Sequence, residues 1–179
     1  YTSQYTLSLH DALPISMPDD LAPDAPRERQ SIRLPPDRIE ALREWATEGT
    51  ALTAAARVRD PGGRTAFVKT AWSDGWVLPG GAVEPGEPPA TAAAREVREE
   101  TGLVAQVGHP LVVFEQSYVD AERDEVAFEA DYVVFAARAE GGIPDAADLG
   151  VDPDEIRAAR WFETVPENLH DGDLLRRFL

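Results

Sequence analysis

Residues 76–103, WVLPGGAVEPGEPPATAAAREVREETGL, leave this chain few choices of local structure. Trp76-Val77-Leu78 is a short apolar run, and Pro79-Gly80-Gly81 stops it and lets the backbone turn tightly. Gly86 permits a second turn, while Pro88 and Pro89 suit the first turn of a helix, where no amide donor is needed. Ala90, Ala93, Ala94, Val97 and Thr101 then form a stripe of small residues that can lie close to a sheet. Gly102 supplies the left-handed cap that ends such a helix. A strand, a loop, a helix and, from Leu103, another strand must therefore follow one another. Glu96, Glu99 and Glu100 fall at i, i+3 and i+4 and so share one helical face. Like charges so placed repel by about a few tenths of a kcal/mol per pair, and grouping three of them points to a cation.

The same stretch resembles the Nudix box, G-x5-E-x7-R-E-U-x-E-E-x-G-U with U aliphatic. Gly81, Glu87, Arg95, Glu96, Glu99, Glu100 and Gly102 occupy its fixed positions, and Val97 and Leu103 its aliphatic ones. The resemblance implies hydrolysis of a nucleoside diphosphate linked to another group X, with water attacking a phosphorus of the pyrophosphate. It makes Glu99 and Glu100 metal ligands, Glu96 a further ligand or the base, and the Gly80 carbonyl a backbone ligand. Arg95 would orient a glutamate through charge-assisted hydrogen bonds, and Glu87 would be structural, near the helix N-terminus. Many family members add a carboxylate from outside the box. Glu155 is the best candidate, with Asp152 and Asp154 competing. Hard oxygen ligands select Mg2+, or Mn2+, rather than zinc. His109 and His170 flank predicted turns and offer no His/Cys metal spacing.

The group X is less constrained. ADP-ribose, nucleoside triphosphates and dinucleoside polyphosphates all remain open. Tyr118, fifteen residues beyond Leu103, resembles a feature of the dinucleoside-polyphosphate hydrolases. Trp72, in the turn at residues 70–75, is a candidate to stack on a base or an aromatic of the core. Trp76, before the LPGG segment, reads as packing. The alternative from another class is a non-catalytic Nudix-fold sensor or regulator that binds a nucleotide. Intact glutamates favour the enzyme.

Charge bounds the partners. The chain carries 17 Lys and Arg against 33 Asp and Glu, a net charge of −16, which disfavours nucleic acid and anionic membranes. A phosphorylated substrate would be repelled too, unless divalent cations bridge it to the protein. Lys69 is the only lysine; abundant carboxylates with almost no lysine suggest a halophilic cytoplasm. No cysteine is present, which excludes disulfides and fits a soluble cytoplasmic protein. A small-molecule nucleotide is the expected partner, and a homodimer is left open.

Along the chain, residues 6–16, TLSLHDALPIS, resemble a translated short-read sequencing adapter, and the only methionine, Met17, follows. Residues 1–16 are therefore read as an artefact, 17–34 as a flexible lead-in rich in Pro, Asp and Arg, and 35–179 as one Nudix domain. Asp37 and Glu40 resemble a capping box before a helix that Gly49 ends. Strands are predicted at 50–59, 65–70, 103–108, 112–119, 126–137 and 155–162, with a turn at Asp60-Pro61-Gly62-Gly63. A C-terminal helix is predicted over 166–179. Together these give an α/β fold, an α/β/α sandwich around a mixed, largely antiparallel sheet.

Overall fold

The computed structural model describes residues 22–149 and 155–179. Seven strands form one mixed sheet among them: β1 (Arg27–Leu34), β2 (Leu52–Arg59), β3 (Thr65–Thr70), β4 (Gly80–Ala82), β5 (Gln106–Asp120), β6 (Glu125–Arg138) and β7 (Ile156–Phe162). The order across the sheet is β1-β5-β6-β2-β3-β7, with β4 paired to β2 off this path. The β1–β5 and β2–β6 pairs are parallel and the others antiparallel. Helices α1 (Pro36–Thr47) and α2 (Pro89–Thr101) and the short α3 (Gly172–Leu175) complete the fold. This is the mixed α/β architecture that the sequence predicts.

The period-2 alternation of β2 decides where α2 sits. Ala54, Ala56 and Val58 face one side and pack with Ala92, Ala93, Val97 and Leu103. Ala55 faces the other side, with Phe67, Leu78, Phe114, Leu169 and Leu175. Alanine meets alanine across the first interface, so α2 lies close against the sheet.

The edge of β2 is shared. Arg59 pairs with Thr65 of β3 at the hairpin end, whereas Thr53, Ala54 and Ala55 pair with Ala82, Gly81 and Gly80. Beyond the hairpin β3 pairs with β7 instead. The sheet therefore opens between β2 and β3, and β4 fills the opening at the foot of α2. The hairpin turn itself is as predicted: Gly63 has φ +85°, and the Arg64 amide donates to Asp60 Oδ1 at 2.7 Å.

Three predicted features need correction. Residues 27–34 of the supposed flexible lead-in form β1, in parallel register with residues 113–120. Its residues are mostly polar, so no hydrophobic period announces it; the backbone ladder and cross-strand pairs such as Gln116 Nε2 to Gln30 Oε1 (2.8 Å) hold it. The C-terminal helix over 166–179 shrinks to α3 and a 3-10 turn at Arg176–Phe178. Its would-be start is tied elsewhere: Trp76 N donates to Asn168 O at 2.9 Å and His170 N to Trp76 O at 2.8 Å. Asp171 then takes φ +54°. Finally, Asp37 is not an N-cap. Pro35 holds that position with no side-chain cap, Asp37 lies in the first turn, and Glu40 pairs with Arg43 at 2.7 Å.

Smaller differences concern the long hairpin. The two strands predicted at 103–108 and 112–119 are one strand, β5, whose register shifts around Pro110, because proline cannot donate to the ladder. Val126, at the hairpin tip, is 58% exposed.

Candidate active site

The three box glutamates occupy graded environments on α2. Glu100 lies three residues beyond Val97 and so continues the helix's inner stripe; it is 8% exposed. Glu96 is half-buried and Glu99 exposed. Glu100 reaches the sheet through Gly80, whose amide donates to its Oε2 at 2.8 Å. The sequence-based expectation assigned Gly80 a ligating carbonyl; the contact observed runs through its N–H.

Burial pushes the Glu100 carboxyl up to about 8 against the opposing Gly80 hydrogen bond, and the charges of Glu96, Glu155 and Glu99 push the same way. Glu96 is also raised, first by burial, with Arg95 opposing and Glu99 and Glu155 adding to it. Glu155, just before β7, is thus among the carboxylates whose charge acts on both Glu96 and Glu100. Its carbonyl accepts the Ala71 amide at 3.1 Å. Asp152 and Asp154 lie outside the described residues.

Arg95 is the hub. Its Nε and Nη2 donate to Oε1 and Oε2 of Glu87, both at 3.0 Å, a bidentate pair. Nη1 donates to Glu96 Oε1 at 2.7 Å and to Glu99 Oε2 at 3.4 Å. Nη2 also donates to Ala82 O at 3.1 Å. Glu87 is fixed in turn by the Glu84 amide, 3.1 Å from its Oε2. Arg95 holds the Glu87 carboxyl below the usual range. Glu87 therefore sits outside the helix and clamps the guanidinium, which then spans β4 and two glutamates of α2. The partners Ala82 O and Glu84 N act through the backbone, so no side chain in the sequence announced them.

The two glycines before the box act by what they lack. A Cβ on Gly81 would stand 2.5 Å from Glu96 Oε1. One on Gly80 would stand 2.4 Å from the Ala55 Cβ and 2.6 Å from Ala54 O. Gly80 lets β4 approach β2, and Gly81 leaves room for the Glu96 carboxylate. Farther along, Gly86 has φ +80° in the loop and Gly102 φ +72° at the C-cap of α2, as the sequence predicts. Pro88 and Pro89 hold the N-cap and first helical position.

Among the described residues, no group of three or more carboxylates and imidazoles is gathered tightly enough to form a ready-made metal cage. Arg95 instead engages Glu96 and Glu99. The donors at hand are all oxygens, however, and one is a carboxylate raised first by burial and then by its acidic neighbours. That set suits a hard divalent cation. His109 is exposed in β5, and His170 packs edge-to-face on Trp72 at 5.4 Å.

The remaining aromatic candidates separate clearly. Tyr118 is stacked on Phe128 at 4.7 Å and meets Trp45 of α1 at 6.3 Å, so it packs α1 on the β5–β6 hairpin. Trp76 packs against Phe162 at 4.7 Å. Trp72 is 60% exposed.

A family model described as NUDIX domain matches residues 49–165, a span that takes in β2, the box, α2 and Glu155. The human diphosphoinositol polyphosphate phosphohydrolase 3-alpha is 35% identical over 92 residues, 51% of this chain and 49% of that protein. The rat diphosphoinositol polyphosphate phosphohydrolase 2 is 52% identical over 44 residues, 25% of each chain. The chain thus spans about half the length, or less, of the curated relatives it matches. Among solved structures, a UDP-X diphosphatase is similar with a TM-score of 0.52 and 23% identity, over 79% of this chain and 65% of that one. A mutant of the Bacillus subtilis pyrophosphohydrolase BsRppH has a TM-score of 0.50 and 24% identity, over 65% of each chain. These two are likenesses of fold.

Proposed function

The chain belongs to the NUDIX family, and from that premise we propose that it hydrolyses a phosphoric anhydride bond with a divalent cation, Mg2+ or Mn2+. The substrate class we propose is a nucleoside diphosphate linked to another group. One observation carries the reading. Glu96, Glu99 and Glu100 are all present on α2, and the Arg95–Glu87 pair and Gly80 lock them against β4. A protein that only bound nucleotide would have no need to hold three mutually repelling carboxylates there. The names of the curated relatives, phosphohydrolases, point the same way.

In this reading Glu99 and Glu100, with Glu96 and the Gly80 carbonyl, hold the cation. When bound, it supplies positive charge to the phosphate oxygens and lowers the pKa of water. Arg95 keeps Glu96 oriented at 2.7 Å, with the backbone of Ala82 as a second anchor. Glu155 is exposed, acts on both Glu96 and Glu100, and stands outside the Arg95 network. We assign it the proton of the attacking water.

Two experiments test this. Incubation with ADP-ribose, nucleoside triphosphates and dinucleoside polyphosphates in the presence of Mg2+ and salt is expected to yield two phosphate-bearing products. Binding without turnover across that panel would instead mark a sensor. Glu155→Gln is expected to lower kcat by roughly 10²–10⁴-fold, the usual worth of a general base, with KM within about threefold. An unchanged kcat would move the base to Glu96. The cytoplasm as its compartment belongs to the same proposal; no helix among the described residues is long and apolar enough to cross a membrane.

A further inference from the structure

Two side-chain hydroxyls are buried where β3 ends, those of Thr70 and Ser73. A buried hydroxyl needs a hydrogen-bond partner, and these two satisfy each other and the backbone around them. Thr70 Oγ1 donates to Ser73 Oγ at 2.9 Å, the Ser73 amide donates back to Thr70 Oγ1 at 3.2 Å, and Ser73 Oγ donates to Gly75 O at 2.8 Å. The Thr70 amide also donates to Ser73 Oγ, at 3.4 Å. All four bonds stay within residues 70–75, so the network holds this turn in one shape.

The turn begins at an irregularity of the sheet. Lys69 stands opposite Ala158, but Thr70 stands opposite Ile156, so Arg157 is an extra residue on β7. Such a bulge bends its strand and re-aims the side chains beyond it. Without it Ile156 would stand opposite Ala71; with it Glu155 takes that place, and the Ala71 amide donates to Glu155 O at 3.1 Å. A shift of one residue reverses the face on which a side chain emerges. The bulge at Thr70 thus decides how Glu155 leaves the sheet, and Thr70 is the residue that Ser73 holds.

The same turn reaches the α2 carboxylates through hydrogen bonds. At its far side Val77 and Val68 exchange two backbone bonds, each 2.9 Å. Pro79 O then accepts the Ala56 amide at 3.0 Å, and the Gly80 amide donates to Glu100 Oε2 at 2.8 Å. The C-terminal segment closes a third side: Trp76 N donates to Asn168 O, and a Cβ on Gly75 would collide with that oxygen. Glu155 and Glu100 are therefore carried on one hydrogen-bonded frame, with the Thr70–Ser73 pair between them.

We propose that Ser73, through its bonds to Thr70, is a positioning residue for Glu155: the buried hydroxyl pair holds the β7 bulge that aims this carboxylate at the attacking water. The proposal rests on the hydrolase reading above, in which Glu155 takes the proton of that water.

The test is a double-mutant cycle. Ser73→Ala is made in wild type and in Glu155→Gln, and kinetics are measured on whichever of ADP-ribose, nucleoside triphosphate or dinucleoside polyphosphate wild type cleaves fastest. In wild type, Ser73→Ala is expected to lower kcat roughly ten- to hundredfold, as misplacing a reacting group by about 1 Å does, with KM within about twofold. In Glu155→Gln it should lower kcat by no more than about twofold. Thr70→Val, which keeps the shape and loses the hydroxyl, should repeat the loss, and Thr70→Ser should recover most of it. Losses that multiply in the double variant, or a Ser73→Ala enzyme as fast as wild type, would overturn the positioning role and leave Glu155 as the base. So would a Thr70→Ser enzyme no faster than Thr70→Val. A Glu155→Gln enzyme as fast as wild type would remove the base assignment and the proposal with it, and a wild type that cleaves none of the three substrates would end the hydrolase reading itself. Where Ser73→Ala does not fold, Thr70→Val and Thr70→Ser run the same cycle.

Discussion

Glu100→Gln is expected to lower kcat by at least about two orders of magnitude, as loss of a metal ligand should, and yet to stabilise the metal-free protein at alkaline pH. The opposition follows from where the side chain sits. Its folded-state pKa is pushed from an ordinary 4.5 up to about 8, so between those values the folded protein holds a proton that the unfolded chain releases. Stability then falls as pH rises. The contribution is fully present below about 4.5 and is lost as pH climbs through about 8. Glu96 is shifted in the same direction. Glutamine cannot ionise, and its carbonyl can still accept the Gly80 amide. In EDTA, the melting temperature of the variant should therefore pull ahead of wild type between about pH 5 and pH 8.5. Divalent cation should close that gap by stabilising wild type alone. Melting temperatures that stay parallel across the pH range would show that Glu100 is not held as described.

Gly80→Ala and Gly81→Ala should fail in different ways, although the residues are adjacent. At Gly80 the new Cβ meets the Cβ and Cα of Ala55 and the carbonyl of Ala54, in a strand whose other face α2 covers. Nothing there can retreat without moving β2. The expected cost is about 3 kcal/mol, or roughly 6–12 °C in melting temperature for a chain of this size. At Gly81 the Cβ meets only the carboxylate end of Glu96, which can swing away. Stability should change by less than about 1 kcal/mol, while kcat/KM should fall about tenfold or more because a site carboxylate is displaced. Thermal melts and steady-state kinetics on the pair check this. A Gly81→Ala protein as unstable as Gly80→Ala would contradict the geometry.

The box could be read from sequence because its residues act locally. The turns at Gly80, Gly86 and Gly102, the proline start of α2 and the neighbourhood of Arg95 with its own helix all follow from spacing. The gradient from exposed Glu99 to buried Glu100 could not be read, since helical spacing alone places the three on one face. It takes the position of β2 under Ala92, Ala93 and Val97 to turn that face partly inward. Glu87 stands just before the Pro88 N-cap, near the helix N-terminus as expected, but its bidentate clamp on Arg95 was not foreseen. That contact depends on the path of the loop, which no spacing encodes. The same applies to β1, whose polar residues gain order from a ladder with a strand more than 80 residues away. The apparent helix over 166–179 was lost because Asn168 and His170 pair with Trp76, a long-range contact that outweighs local propensity.

If, as proposed, the α2 carboxylates form a divalent-cation site that drives hydrolysis of a nucleoside diphosphate derivative, turnover must depend on that cation. Turnover of one such substrate is to be measured before EDTA, after EDTA, and after Mg2+ or Mn2+ is restored in excess. The expected result is complete loss followed by full recovery in wild type, with no recovery in Glu100→Gln. Turnover that persists in EDTA, or that Glu100→Gln recovers as fully as wild type, would contradict the account.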